Sequence, residues 1–262
     1  MNAFVYHLGY EFVGAVRDKS RLFMNYLFPL AFLLLAGALM TKLSPGFTDR
    51  MPQAMSVFAV MCAFLLSLPT GLVAARDSGG LRSFRINGVP ASAALAAPSI
   101  ATAAHMVLAT AIIGLVSCLA FGAKAPADWP RWAAAWSAMC AATAGLGALI
   151  GVVAGSGRAA TLLAQCLYLP SILLGGLMTP AGALPPALER LSLLFPARHA
   201  MRAFAGGDGV AVSIAALLLG AGLAFALAAL LFEWDGSNAR PGGRKLLALL
   251  AFLPYAASMA LA

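Results

Sequence analysis

Seven long stretches of the chain contain no charged residue, and their lengths indicate how the chain is organised. These stretches are residues 22–41, 51–75, 86–123, 132–157, 159–188, 209–232 and 246–262. An α-helix needs about 20 apolar residues to cross a hydrocarbon core of about 30 Å. With polar and proline-rich ends removed, the first six stretches predict membrane-spanning helices at 23–41, 54–75, 97–121, 133–154, 160–179 and 211–232.

The seventh stretch, Leu246 to Ala262, is 17 residues long and contains Pro254. Three arrangements remain open for it: a membrane crossing, a segment lying in the interface, or a partly buried segment. Backbone polar groups inside a bilayer have no water to bind, so apolar spans must be helices. The predicted fold class is therefore all-α, a polytopic membrane helix bundle with six transmembrane helices and a possible seventh hydrophobic segment.

An amphipathic segment precedes the first span. Six apolar side chains between residues 4 and 17 share one side of a helical wheel, and His7, Glu11 and Asp18 share the other. The apolar six are Phe4, Val5, Leu8, Phe12, Val13 and Val16. This pattern predicts an N-terminal interfacial helix that lies in the membrane surface.

Composition supports the membrane assignment and excludes several classes of protein. Of the 262 residues 62% are hydrophobic and 10% are charged, whereas soluble domains are about 45–50% apolar and about 25% charged. The net charge of +8 is explained by basic loops beside anionic lipid, so we expect no nucleic-acid partner. The four cysteines are isolated in apolar runs, which predicts no metal site and no disulfide framework.

Basic residues predict the orientation of the chain. If the N-terminus is inside, ten Lys and Arg residues fall on the inner side of the membrane and seven on the outer side. Cytoplasmic loops carry the excess of Lys and Arg. We therefore expect a multi-pass protein with a cytoplasmic N-terminus.

A polar island, Arg76 to Pro90, separates the second and third spans. Asp77 and Ser78 are candidate helix N-caps, and Leu81, Phe84 and Ile86 would give a short helix an apolar side. Such a helix is suited to contact a protein partner outside the membrane, although an ordinary basic loop that follows the positive-inside rule remains open. The candidate contact residues of this island are Arg76, Asp77, Gly79, Leu81, Arg82, Phe84, Arg85 and Pro90.

A second patterned stretch, residues 178–210, follows the fifth span. Pro185 and Pro186 mark a helix start, Leu188, Leu191 and Leu194 follow at helical spacing, and Pro196 introduces a second short piece. Helices this short cannot cross a bilayer. We therefore expect re-entrant or interfacial half-helices that form a lid on the outer face.

Four motifs occur in order along the chain. They are Arg17-Asp18; Asp77, Gly79-Gly80-Leu81 and Pro90; Pro180, Leu184-Pro185, Leu188, Leu191, Phe195-Pro196, His199 and Arg202; and Phe232-Glu233-Trp234. With six spans at this spacing, the chain resembles the ABC-2-type permeases, the membrane subunits of type V ATP-binding-cassette exporters. The resemblance makes residues 1–235 an ABC-2-type transmembrane domain and 236–262 a C-terminal extension with a possible extra membrane segment.

The resemblance implies a permease subunit that moves substrate out across the cytoplasmic (inner) membrane of a bacterium. Its implied partners are a dimer of cytosolic ABC ATPases and a second permease subunit, identical or related. The interfacial helix and the island would contact the ATPases, and the pieces from Pro180 to Arg202 would be the outer half-helices. Gly80 and Ser83 stand where relatives commonly carry Thr and Glu, so the contact differs from theirs in detail.

The chain is not expected to be an enzyme by itself. It has no GxxxxGK[ST] motif, and Gly155-Ser156-Gly157-Arg158 lacks the spacing and the lysine of a phosphate-binding loop. We predict no catalytic residues and no bound cofactor in this chain, with ATP and Mg on a partner subunit. The predicted spans contain no carboxylate for ion coupling, and His105 is expected to be a hydrogen-bonded core residue. A small non-ABC channel or an accessory membrane protein remains an open alternative.

Overall fold

The computed structural model describes residues 3–44, 46–179, 182–235 and 242–260, and within them the secondary structure is helical without strands. The helices are α1 (Ala3–Arg17), α2 (Lys19–Leu43), α3 (Phe47–Asp77), α4 (Gly80–Ile86), α5 (Ala91–Phe121), α6 (Trp129–Val153), α7 (Gly157–Leu174), α8 (Pro186–Ser192), α9 (Pro196–Ala205), α10 (Val210–Leu231), a 3₁₀ helix (Gly242–Phe252) and α11 (Leu253–Ser258). Helices α2, α3, α5, α6, α7 and α10 are long and apolar enough to cross a membrane. The all-α fold class and the six predicted spans are confirmed.

Two of the spans depart from their predicted bounds for reasons that lie at their ends. Helix α3 is 31 residues long and includes Asp49 and Arg50 near its start, because charged side chains are tolerated where a helix emerges from the hydrocarbon. Helix α7 ends at Leu174, five residues earlier than predicted. Gly175 and Gly176 follow it, and Gly176 adopts φ +88°, a backbone conformation that favours glycine.

Helices α3 and α6 form the centre of the bundle. In both helices, 72% of the residues in the most apolar 18-residue stretch are buried, against 28–44% in the other four spans. The two helices approach so closely that a Cβ at Gly147 of α6 would collide with the carbonyl group of Phe64 in α3. On another side of α6, Gly145 lies against the Ala221 carbonyl of α10. The small residues of α6 therefore pack the subunit itself.

Two π-helical turns interrupt the spans, and prolines explain their positions. One turn is Phe23–Leu27 in α2 and the other is Cys62–Ser67 in α3, and they pack against each other. Pro29 and Pro69 each follow a turn by two residues. A proline lacks the N–H group and its ring crowds the carbonyl four residues earlier, which in both cases lies within the π turn.

The bundle has two ends, named here by their short helices. The α4 end carries α1, α4 and the connection from α6 to α7, whereas the α9 end carries α8, α9 and the connection from α5 to α6. The 3₁₀ helix packs against α10 and α6, and α11 packs against α10. The extra C-terminal segment is therefore part of the same bundle.

Candidate functional site

Helix α1 turns its polar side toward the bundle. Arg21 Nη1 of α2 donates a hydrogen bond to Glu11 Oε2 at 2.9 Å, and His7 Nε2 lies 3.6 Å from Glu11 Oε1. Burial alone would raise the pKa of Glu11, but the neighbouring His7 and the hydrogen bond and charge of Arg21 lower that pKa below its ordinary value. The apolar residues Val13 and Val16 are exposed on the opposite side, as an interfacial helix requires.

The sequence analysis did not identify His7, Glu11 and Arg21 as one polar cluster. The spacing of His7 and Glu11, four residues apart, indicates a contact within one helix. The partner Arg21 lies on the next helix, ten residues beyond Glu11, and only the turn at Asp18 brings it back. The Asp18 Oδ1 atom accepts from the backbone N–H groups of Ser20 and Arg21, at 2.8 and 3.2 Å, and so caps the start of α2.

His105 of α5 is hydrogen-bonded, as expected. Its Nδ1 atom lies 2.7 Å from the Tyr26 hydroxyl, its Nε2 atom lies 3.0 Å from the Phe12 carbonyl oxygen, and its ring stacks on the Phe12 ring at 4.3 Å. The histidine therefore joins α1, α2 and α5.

The Arg76–Pro90 island begins with a buried arginine. The Arg76 side chain is 7% exposed, and its Nη2 atom donates to the carbonyl oxygen of Ala154, which caps α6, at 2.9 Å. Arg76 thus joins the ends of α3 and α6 inside the protein and is not available to a partner. The candidate N-caps Asp77 and Ser78 are wrong, because α3 continues through Asp77 and Gly79 precedes α4 in a left-handed conformation with φ +77°.

Most of the apolar side of α4 binds this subunit. Leu81 is 4% exposed in the bundle core, and the Phe84 ring packs against the His7 ring of α1 with centroids 4.4 Å apart. These two residues were predicted as anchors for a partner. Leu81 is already buried within this subunit and Phe84 is partly buried against α1, so their contact with a partner stays a prediction. Ile86 is 79% exposed, so it alone of the three apolar residues faces outward.

The outward surface of α4 is small and basic. Arg82, Ser83, Arg85, Ile86 and Asn87 are exposed there, and we call this set the α4 surface. Arg82 forms an ion pair with Asp235, just beyond the end of α10. Gly88 adopts φ +72°, and Pro90 precedes α5 in an extended conformation, so the island ends where the sequence predicted.

The second predicted region forms two short helices at the α9 end. Pro185 precedes α8 and Pro196 is the first residue of α9, as the proline positions predicted. Pro180 lies outside the described residues. The Glu189 carboxylate of α8 forms an ion pair with Arg198 of α9 and also accepts from the Gly182 N–H group at 2.9 Å. The two helices are therefore joined by a charge pair that the sequence analysis did not identify.

The predicted leucine stripe lies on the outside of this pair. Leu188 and Leu191 are exposed, the latter by 42%, and Leu194 is partly buried. On α9, His199 is fully buried, and its Nε2 atom donates to the Leu193 carbonyl oxygen at 2.8 Å.

His199 is uncharged at neutral pH. Burial, followed by the charges of Arg202 and Arg198, lowers the pKa of His199 to about 4. The Arg202 guanidinium lies against Gly209, where a Cβ would contact it.

Comparison with known proteins agrees with this architecture. A search of characterised protein sequences finds no significant match. The profile of the ABC-2 type transporter family matches residues 3–207, which include α1, the α4 island, the first five spans and the α8–α9 pair. The chain therefore belongs to the ABC-2 type transporter family and is a membrane permease component of an ABC transporter.

Proposed function

We propose that this chain is the membrane subunit of an ATP-driven exporter in the cytoplasmic membrane of a bacterium. In this arrangement the α4 end is cytoplasmic and the N-terminus lies inside. A dimer of cytosolic ABC ATPases binds at that end, carries ATP and Mg²⁺, and drives substrate outward. A second permease subunit, identical or related, completes the pathway. The observation that supports this proposal best is the exposed α4 surface, because the chain belongs to a family of ABC transporter permeases.

The α4 surface combines an apolar anchor with flanking charge. Ile86 is exposed, and Arg82 and Arg85 are on the same short helix. Binding energy at protein interfaces is concentrated in a few buried anchors, with charged residues at the rim. In the proposed complex Ile86 is buried in the ATPase, and the two arginines lie at the edge.

Contacts behind the α4 surface connect it to three spans. Phe84 contacts His7 of α1, and α1 is joined to α2 through Glu11 and Arg21. Leu81 lies in the bundle core, and Arg76 joins the end of α3 to that of α6. A displacement of α4 by the ATPases would therefore move α2, α3 and α6 together, because packed side chains transmit strain.

Association with the ATPase provides the test. A candidate ABC ATPase subunit is co-expressed with this chain, and their affinity is measured with the permease in nanodiscs. Loss of a buried anchor costs about 2 kcal/mol or more, so Ile86→Ala weakens association more than tenfold. The matched control is Ile100→Ala, which truncates an exposed isoleucine within the α5 span.

Transport direction is measured separately in membrane vesicles. ATP supplied on the α4 side should move substrate toward the α9 side in wild type, and Ile86→Ala should reduce the rate in proportion to ATPase occupancy. Equal association by wild type and Ile86→Ala would remove the coupling role of α4. Transport toward the α4 side would refute the exporter direction.

A further inference from the structure

A cavity of about 320 Å³ lies at the α9 end, between α3, the bend after α7, and α9. Three of its lining residues are arginines: Arg50 from the start of α3, and Arg198 and Arg202 from α9. Asp49 is the one carboxylate in the lining. Its volume is at the lower end of the range of about 300–1,000 Å³ for ligand pockets.

The guanidinium groups of this cavity have unused donors. Arg50 Nη2 donates to the Met178 carbonyl oxygen at 2.9 Å, but its Nε atom is buried without a partner. Arg198 is paired with Glu189, yet its Nε atom is also buried without a partner. Within the described ranges of the chain, Arg202 has no carboxylate at ion-pair distance. Each buried donor left without an acceptor costs about 1–3 kcal/mol.

Charge in the cavity favours an anion. The three arginines face Asp49 in the lining and Glu189 behind Arg198, which leaves one positive charge. Arginine binds phosphate and carboxylate groups through paired N–H donors.

The depth of the cavity matches lipid headgroups. Asp49 and Arg50 stand at the start of a span, and Phe204 of the lining packs against Trp132 with ring centroids 5.8 Å apart. Tryptophan at a span end is typical of the membrane–water interface.

We propose that this cavity binds a phosphate group, with Arg202 as its main cation and with Arg50 and Arg198 as additional donors. The group can belong to a lipid headgroup or to a free anion, and the cavity has room for the headgroup but not for the whole lipid. The negative charge of the Asp49 carboxylate disfavours the binding of a further, fully charged anion next to the phosphate group.

Lipid binding by the purified chain tests this site without an ATPase, so the result is independent of the exporter proposal. Wild type, Arg202→Gln and Arg190→Gln are placed in nanodiscs of phosphatidylcholine with a small fraction of phosphatidylglycerol, and retained lipid is measured by native mass spectrometry. Arg190 is an exposed arginine on α8 at the same end of the bundle, so its variant removes an equal charge outside the cavity. We expect Arg202→Gln to lower phosphatidylglycerol retention at least tenfold and Arg190→Gln to leave it unchanged.

A second arm separates the two sources of phosphate. Inorganic phosphate is titrated into the same protein in pure phosphatidylcholine. Binding that depends on Arg202 identifies a free anion as a ligand, whereas retention of phosphatidylglycerol without phosphate binding identifies the headgroup. Equal loss of lipid from the Arg202 and Arg190 variants, or no preference for the anionic lipid in wild type, would overturn the site.

A separate observation concerns the C-terminal segment, Gly242–Ser258, which runs antiparallel to α10. The ring of Tyr255 packs against Gly220 in the middle of α10, where a Cβ would collide with it. Farther along, the Ser258 hydroxyl lies 3.3 Å from His199 Nε2 of α9, and the Tyr255 ring lies 5.7 Å from the His199 ring. The segment therefore ends at the α9 end.

Helix geometry places the start of this segment at the opposite end. From Gly220 to the end of α10 at Leu231 is about 16 Å at 1.5 Å per residue. From Tyr255 back to Arg244 is about 20 Å, because the 3₁₀ helix rises about 2.0 Å per residue. Arg244 and Lys245 therefore lie near the α4 end, and Gly242–Ser258 extends over about 31 Å, enough to cross a hydrocarbon core of about 30 Å.

The sides of the segment fit a membrane environment. Its buried residues, Ala251, Tyr255 and Ser258, face the bundle. The leucines of the other sides are exposed: Leu246, Leu247, Leu249, Leu250 and Leu253. A continuous apolar surface of this kind is unfavourable in water and favourable against lipid.

We infer that Gly242–Ser258 is a seventh membrane crossing whose far end braces α9 through His199. Single cysteines replace Gly243 and Ala260, both exposed, in a chain whose native cysteines have been removed. Cysteines at Ser83 and Ala205 serve as references for the α4 end and the α9 end. An impermeant thiol reagent should label position 243 together with 83, and position 260 together with 205. Labelling of 243 and 260 from the same side would refute the crossing.

The brace is tested with a matched pair of glycines on α10. Gly220→Leu should displace Tyr255, whereas Gly222→Leu should not, because nothing lies within 4 Å of a Cβ at Gly222. In detergent, a cysteine in place of buried Ser258 should react at least tenfold faster in the Gly220 variant and at the original rate in the Gly222 variant. Equal rates in the two variants would refute the brace. The cysteine-labelling test of the membrane crossing does not depend on either glycine variant.

Discussion

The positive-inside rule counts the three arginines of the Arg76–Pro90 island alike. Their contacts in the structure predict that they contribute differently to stability. Arg76 is buried and hydrogen-bonded to the end of α6. Arg82 is 60% exposed and makes a surface ion pair, and Arg85 is exposed. We expect Arg76→Ala to destabilise the folded protein far more than Arg82→Ala or Arg85→Ala.

The magnitude follows from the lost contacts. A hydrogen bond to a charged group contributes about 1.5–3 kcal/mol, and the Ala154 carbonyl would be left buried without it. A surface ion pair such as that of Arg82 contributes about 0–1 kcal/mol. If 1 kcal/mol shifts Tm by about 2–4 °C in a chain of this size, Arg76→Ala should lower Tm by about 3–12 °C, and Arg82→Ala by no more than about 4 °C.

Thermal unfolding in detergent, followed by tryptophan fluorescence at one fixed scan rate, provides the assay, because unfolding of such proteins is often irreversible. Arg76→Lys is the informative companion, since it keeps the charge while changing the donor geometry. A Tm for Arg76→Ala within error of that for Arg82→Ala would refute the anchoring role. Inverted insertion of the Arg76 variant alone would show that its charge acts on topology instead.

Three further predictions concern other parts of the chain. Leu191→Asp at the exposed stripe should impair transport while leaving ATPase association intact, and loss of the complex at normal membrane levels would contradict a lid. Gly147→Ala should prevent stable folding because it collides with α3, whereas Gly114→Ala, whose Cβ meets nothing within 4 Å, should be tolerated; recovery of folded protein by size-exclusion chromatography measures both. The lowered pKa of Glu11 means that its stabilising contribution is present above its unfolded pKa of about 4.3 and is lost as pH falls through the folded pKa; Glu11→Gln should reduce the loss of Tm between pH 6 and pH 3, and an unchanged pH dependence would refute this assignment.

The sequence by itself determined the class of fold and the identity of the spans. Absence of charge over 20 or more residues is a local property with one physical outcome in a bilayer, a helix, so six spans could be predicted without knowledge of their packing. The ends of the short helices could be predicted for the same reason. The boundaries at Pro185, Pro196 and Gly88 were predicted correctly, because proline restricts the backbone dihedral angles and glycine widens their range whatever the surroundings.

Tertiary structure alone decided what each side chain contacts. Leu81 and Phe84 have the pattern of an amphipathic helix, but a pattern does not show whether the apolar side meets a partner or the same chain. Arg76 and Arg82 look alike in sequence, yet only Arg76 meets the end of α6, 78 residues away. The arginine cavity unites residues about 150 positions apart, and Tyr255 finds its place only because Gly220 lacks a side chain. Such pairings depend on how helices pack, which periodicity along one helix does not encode.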